Sequence, residues 1–364
     1  TNGNISQLTG NGTDIVIKVE QADISGGESS NVLDATGFTS SALSVSLRGG
    51  NGNDLLLGTS GPDGMFGDGG DDTLTGGDGN DDMYAGGGKD LVNGGMGDDT
   101  VRGQGSSSDT ITGGPGNDRL DGGSGTDFLR EDLTAATSLV ARNVSMTGLG
   151  TDVVRRIERL FINGSTGNDI IDASGFVSAF VSIINGGDGD DVIIGSGGPD
   201  NLSGGAGADT ISGGLGNDTI RGGDGQDTIS GQAGDDSIGG DDGDDLISGG
   251  ADQDIINGGI GNDSLSGDEG DDGLSGFEGD DVLDGGSGSD LLIGHAGADL
   301  VLGGAGLDTL VGGGGTSSQP DGVDTLTGGT DADQFDGLMS EITDLEPADT
   351  VAAFTSFPDW VDSI

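Results

Sequence analysis

The sequence predicts an all-β chain, a parallel β-roll (a β-solenoid) built from 18-residue coils and arranged as two stacked modules. Three observations carry this reading. First, a nine-residue pattern, Gly-Gly-x-Gly-x-Asp-x-aliphatic-x, repeats fourteen times without a slipped residue from Gly186 to Val311. Second, nine further units run from Gly49 to Arg130, with one extra residue between Gly103 and Thr112. Third, residues 12–38 align without a gap on residues 150–176 at an offset of 138, so a longer repeat lies above the short one.

Each nonad divides into a turn and a strand. Positions seven to nine are expected to be extended, with the eighth side chain pointing inward and its neighbours outward. The eighth residue is aliphatic throughout the second block, from Ile193 and Leu202 to Val301 and Leu310, and aliphatic or Met in the first, from Leu56 to Leu129. The first six residues are expected to turn back sharply, with Gly at positions one and four admitting positive φ. Two nonads then make one coil with a strand on each side, and stacked coils make two parallel sheets at roughly 4.8 Å per coil. The core is a thin double row of aliphatic side chains. Burial at about 2 kcal/mol for each of them is not expected to offset the entropy of ordering so much glycine.

The expected organisation follows from these blocks. Residues 1–48 are the leading coils of the first module, 49–130 its nonad block, and 131–148 a junction without the nonad. Residues 149–185 are the leading coils of the second module, and 186–336 its block. There the pattern breaks at the insertion Gly312–Val323 and resumes briefly, with Asp333 and Phe335 at positions six and eight. The tail 337–364, which holds the only Trp, Trp360, is expected to cap the end of the solenoid. The chain begins with Thr1 and shows no signal peptide, which reads as a piece of a longer protein.

Charge narrows the functional classes. Eleven Lys and Arg stand against 65 Asp and Glu, a net charge of −54, and 83 residues are Gly. Without a cationic partner such a chain repels itself and stays unfolded. Nucleic acid is excluded as a partner, because nothing after Arg221 is basic. No apolar run is long enough to insert into a membrane, and there is no Cys for disulfides or thiolate ligands. The basic residues near the junction, Arg130, Arg142, Arg155, Arg156 and Arg159, read as a solvated or salt-bridged surface. The only His, His295, sits at position two of a nonad. With no His-Glu-x-x-His, nucleophile elbow or Cys nucleophile, the chain reads as non-enzymatic. A flat ice-binding ladder would need a uniform position five, and that position is irregular.

The invariant sixth position carries the chemistry. In the first block it is Asp54, Asp63, Asp72, Asp81, Asp90, Asp99, Asp109, Asp118 and Asp127. In the second it is Asp191, Asp200, Asp209, Asp218, Asp227, Asp236, Asp245, Asp254, Asp263, Asp272, Asp281, Asp290, Asp299 and Asp308. Asp169, in the leading coils of the second module, joins the set. Turns on one side stack two nonads apart, so Asp191 lies one coil from Asp209 and Asp200 one coil from Asp218. Each gap offers two carboxylates and several turn carbonyls. All-oxygen ligation in flexible geometry suits Ca²⁺ rather than Zn²⁺ or Mg²⁺. Each block encloses two fewer interior gaps than it has turns, roughly 19 Ca²⁺ ions in all, which neutralise most of the charge.

These nonads resemble the RTX (repeats-in-toxin) calcium-binding β-roll of hemolysin-type proteins. The resemblance implies that Ca²⁺ lies between consecutive coils, held by the Asp carboxylates and by turn carbonyls from positions one to four. Asp191 and Asp209 would share an ion with carbonyls of Gly186, Gly189, Gly204 and Gly207, and the next turns would use Gly213, Gly216, Gly222 and Gly225. It also implies type I secretion, with folding outside the cell. Departures occur at Asp252 (position four), at the slipped unit around Ser106–Ser108, and at Ala85, which replaces the first Gly.

The expected function is therefore a calcium-folded, secreted or surface-attached structural or adhesin-type repeat region. The alternative is the export and folding module of a secreted hydrolase, epimerase or toxin whose active domain lies elsewhere. Besides calcium, surface polysaccharide or neighbouring modules of the same protein are the candidate partners.

Overall fold

The computed structural model describes residues 13–15, 22–37, 44–132, 138–142, 145–147, 151–176, 181–313, 325–329, 334–336 and 350–351. Every regular element among them is a β-strand. The chain divides into two compact units, one of residues 1–133 with 137–162, the other of residues 134–136 with 163–364. Each contains a parallel β-solenoid.

In the second unit alternate strands form alternate sheets. Thr210 pairs with Thr228 and Thr228 with Leu246 on one side. On the other, Asn201 pairs with Thr219 and Thr219 with Ser237. Each of these steps is 18 residues, so one coil is two nonads, as the period requires. The eighth-position side chains face each other across the interior. Ile193, Leu202, Ile211, Ile220 and their successors to Leu310 are all buried. The first unit repeats the plan from Val45–Asn51 to Phe128–Asp132. Its extra residue is absorbed in one turn, where the register steps by 19, with Thr100 opposite Arg119 and Leu91 opposite Thr110. Gln104 and Gly105 take positive φ there.

Two local expectations are corrected. The strands are not three residues long. A typical one, such as Thr219–Asp224, runs from position seven through position three of the next nonad, and only positions four to six form the corner. Inward and outward faces therefore alternate across the Gly-Gly pair, and positions six, eight and one all point inward. The positive-φ assignment also shifts. Positions two and four are left-handed, as at Gly205 and Gly207 (φ 118° and 133°), whereas position one is not. Position-one Gly is required for space: a Cβ on Gly204 would lie 2.2 Å from Asp209 Oδ2 and 2.6 Å from the Gly222 carbonyl oxygen.

The longer repeat is visible as well. Strands Thr13–Ile15, Ala22–Ser25 and Val32–Asp34 correspond to Thr151–Arg155, Arg159–Asn163 and Ile170–Gly175. Thr36 bonds to Asp34 Oδ1 through N–H and hydroxyl at 2.9 and 2.6 Å, and Ser174 does the same to Asp172 at the same distances. The repeat pattern gave no sign of what opens the second module. Ser138–Arg142 pairs antiparallel with Ser145–Thr147, and Ser145–Thr147 antiparallel with Thr151–Arg155. Thr151–Arg155 then pairs in parallel with Arg119–Asp121, which draws residues up to 162 into the first unit. Arg130 and Arg156 at this end form ion pairs with Asp132 and Asp121, at 3.2 and 2.6 Å. The tail expected to be a cap lies outside the described residues, as does Asp333. The exception is Thr350–Val351, which pairs with Gln334–Phe335.

Candidate metal centre

The alternation of faces places every sixth-position Asp inside the coil. All the candidate aspartates, Asp169 included, are only 1–4% exposed. A buried carboxylate must be compensated, and half of the compensation is visible. The N–H of Asp191 donates to Asp209 Oδ1 at 2.7 Å, that of Asp209 to Asp227 Oδ1 at 2.8 Å, and that of Asp227 to Asp245 Oδ1 at 2.8 Å. The same bond recurs down both rows of turns in each unit. Each carboxylate is thus pinned by the coil before it.

The other oxygen is not satisfied by protein. Oδ2 of Asp209, Asp227, Asp245, Asp263 and Asp281 is buried and has no hydrogen-bond donor, as is true along most of each row. In each case this oxygen sits against position-one Gly and beside the position-one carbonyl of the next coil. For Asp227 these are Gly222 and Gly240, whose oxygen lies 2.7 Å from where a Gly222 Cβ would be. The position-four carbonyls of Gly189, Gly207, Gly216 and Gly225 face position four of the following coil instead. Among the described residues no three acidic, His or Cys side chains gather on one point. A cation here would take its ligands from one or two carboxylates and from main-chain oxygens. That donor set is all oxygen and partly neutral, which fits Ca²⁺.

Electrostatics agree. Burial, countered only in part by the backbone hydrogen bond, raises the carboxyl of Asp209, Asp227, Asp245, Asp263 and Asp281 to about 6. The same cause takes Asp72, Asp81, Asp99 and Asp109 to about 7, and Asp218 and Asp254 to about 8. Neighbouring aspartates of the same row add repulsion. The rows demand positive charge, and the few Lys and Arg among the described residues lie outside them.

Several contributors escaped sequence reasoning. Position five, dismissed as irregular, forms a second ladder on the outer edge, with the opposite polarity. The N–H of Ala208, Gln253, Asn262 and Ala298 donates to the side chain of Asp190, Asp235, Asp244 and Asp280, one coil earlier, at 2.8–3.1 Å. The ladder runs through consecutive coils at Asp244, Asn262 and Asp280 and lapses where position five carries neither Asp nor Asn, as at Ala208. At the end of the first block, two glutamates accept main-chain N–H bonds where the nonads run out, and Glu158 takes the place of the missing next Asp. Glu158 accepts from the N–H of Asp127 and Glu131 from that of Gly113, at 2.8 and 2.9 Å. His295 is a turn residue at φ 73°, its ring stacked on Phe277 at 4.7 Å.

Comparison with known proteins agrees with this geometry. The family model described as the RTX calcium-binding nonapeptide repeat (4 copies) matches residues 45–65, 66–101, 105–129 and 161–175, and a series of overlapping stretches from 185 to 317. Together these cover more than half of the chain. No curated protein matches the chain. The chain is a member of the RTX calcium-binding nonapeptide repeat family.

Proposed function

We propose that this calcium-binding repeat region is an extracellular structural element, a stalk or spacer of a larger secreted protein, whose folding is driven by Ca²⁺ between consecutive turns. The sixth-position aspartates would be the carboxylate ligands, completed by position-one carbonyls. One observation carries the reading: along each row, a buried carboxylate has one oxygen held by main chain and the other turned to a neighbouring carbonyl with no donor of its own. That arrangement is costly alone and favourable around a divalent cation. Bound ions would then act as the staples that a thin aliphatic core does not supply.

Circular dichroism during a calcium titration tests this. In chelator the spectrum is expected to be coil-like. Calcium should produce a cooperative gain of β signal in the millimolar range typical of extracellular modules, whereas Mg²⁺ should not. A spectrum indifferent to calcium would overturn the proposal.

A further inference from the structure

The turns that open each row differ from those that follow. In an ordinary turn, positions two and four are left-handed and Asp Oδ2 lacks a donor. The turns ending at Asp63, Asp169 and Asp200 break both habits. Position two is Thr59, Ser165 or Ser196, and neither it nor position four (Gly61, Gly167 or Gly198) has positive φ. A proline after Gly61 and Gly198 enforces that in two of the three turns.

The change of path brings donors onto the carboxylate. The N–H of Thr59, Ser165 and Ser196 donates to Oδ2 of the Asp four residues on, at 2.6, 2.7 and 2.5 Å. Their hydroxyls add a second bond, at 3.0 Å from Thr59 to Asp63 Oδ2, 2.8 Å from Ser165 to Asp169 Oδ2 and 3.0 Å from Ser196 to Asp200 Oδ1. The hydroxyl is itself fixed by the N–H of position four. The adjoining space changes too. At Gly58 and Gly195 the carboxylate stands 2.8 Å from the would-be Cβ and the next carbonyl 2.1 Å from it. At Gly213, next in the row after Gly195, these values are 2.4 and 2.7 Å.

Position in the stack gives this a reason. Asp63 and Asp200 have no nonad turn before them on their side: the preceding coil offers the leading strands of Val45 and Ser182. Asp169 likewise opens the row of Asp191 in the second unit. In the remaining row the place is taken by Asn31, a neutral side chain. At Asp63 and Asp200 hydrogen bonds reach both carboxylate oxygens and offset part of the cost of burying the anion without a counter-ion.

Resting on the function proposed above, we infer that the three hydroxyl-clamped opening turns hold no calcium, and that each row starts from an ion-independent cap with its calcium ladder beginning one turn later. The gaps Asp63–Asp81 and Asp200–Asp218 drop out of the roughly 19 expected from spacing.

The test is calcium stoichiometry of the full chain, by equilibrium dialysis with atomic emission, on the wild type and three single variants. Thermal melts at saturating calcium check that each is folded. Asp200→Asn and Ser196→Ala should keep the wild-type count, whereas Asp218→Asn should lose at least one ion. Loss of an ion in Ser196→Ala would make the hydroxyl a ligand and overturn the inference. So would an equal loss in Asp200→Asn and Asp218→Asn. A wild-type chain that binds no calcium overturns both this inference and the proposed function. A wild type that binds calcium with all variants losing alike overturns the inference only.

Discussion

The main-chain N–H of Asp209 donates to Oδ1 of Asp227, one coil further on, at 2.8 Å, and Oδ2 of the same carboxylate has no donor. This one-sided engagement recurs through both rows. In the folded coil it fixes the direction of the carboxylate, so that Oδ2 is presented to the gap as a placed ligand. It also fixes what removal of the ion leaves behind: a line of like charges one coil apart in a dry interior.

Acid should therefore replace calcium in part. Asp209, Asp227, Asp245 and Asp263 are raised to about 6 and Asp218 and Asp254 to about 8, from 3.8, in the folded chain. A raised carboxyl stabilises the fold in its protonated form. Its contribution is complete below the unfolded value of 3.8 and disappears as pH rises through 6 to 8. In chelator, β signal by circular dichroism is expected to grow as pH falls from about 8 to about 4. A signal that stays flat or falls on acidification would refute it.

An interior ligand and an exposed acid should behave differently. Asp245→Asn keeps the shape and the bond from the Asp227 N–H, but removes the charge next to two gaps. It should lower the calcium count by one or two and raise the midpoint of calcium-induced folding several-fold. Asp224, an exposed acid on the outside of the same coils, should change neither when replaced by Asn. Dialysis and a folding titration read both effects.

The methyl group at position one is a natural experiment. A Cβ on Gly222 would lie 2.2 Å from Asp227 Oδ2 and 2.7 Å from the Gly240 carbonyl, so Gly222→Ala should cost about 1–3 kcal/mol through overpacking and weaken calcium binding. Ala85 already carries that methyl, fully buried, in the turn of Asp90. Its gap should be among the weakest in the first block, and Ala85→Gly should lower the calcium concentration needed for folding. An unchanged or higher midpoint in Ala85→Gly would count against the reading of position one as a spatial requirement.

What could be read from the sequence, and what could not, separates by range. A strict period specifies contacts between neighbouring coils, so the coil length, the inward eighth side chain and the stacking of each sixth-position Asp one coil from the next could be read from spacing, whereas the burial of that Asp could not. Strand length and the φ pattern could not, because Gly at positions one, two and four looks alike on paper while meeting different needs: room for Asp Oδ2 at one, backbone conformation at two and four. Thr59, Ser165 and Ser196 were hidden as ordinary substitutions at a loose position. Their effect depends on a hydrogen bond four residues on and on lying at the start of a row. Glu158 replaces a periodic Asp from outside the period, and Glu131 holds the N–H of Gly113 at the same end, so no repeat-based reading could assign them.

Position two offers a way to stabilise the chain. Asp241 sits there at φ 73°, a conformation that costs a residue with a Cβ about 1–2 kcal/mol and costs glycine little. Its exposed carboxylate also adds repulsion at Asp227 and Asp245, raising both. Asp241→Gly should relieve strain and repulsion together, in the same direction. It should raise the melting temperature in calcium and lower the calcium midpoint. Gln232→Gly, at φ 78° and without a charge, should show only the first effect, less the loss of its side-chain bond to Ser212. The difference between the two variants isolates the electrostatic part. Added salt should shrink that difference, because screening acts on the charge and not on the backbone. A salt-independent difference would mean that Asp241 acts on its neighbours through conformation alone.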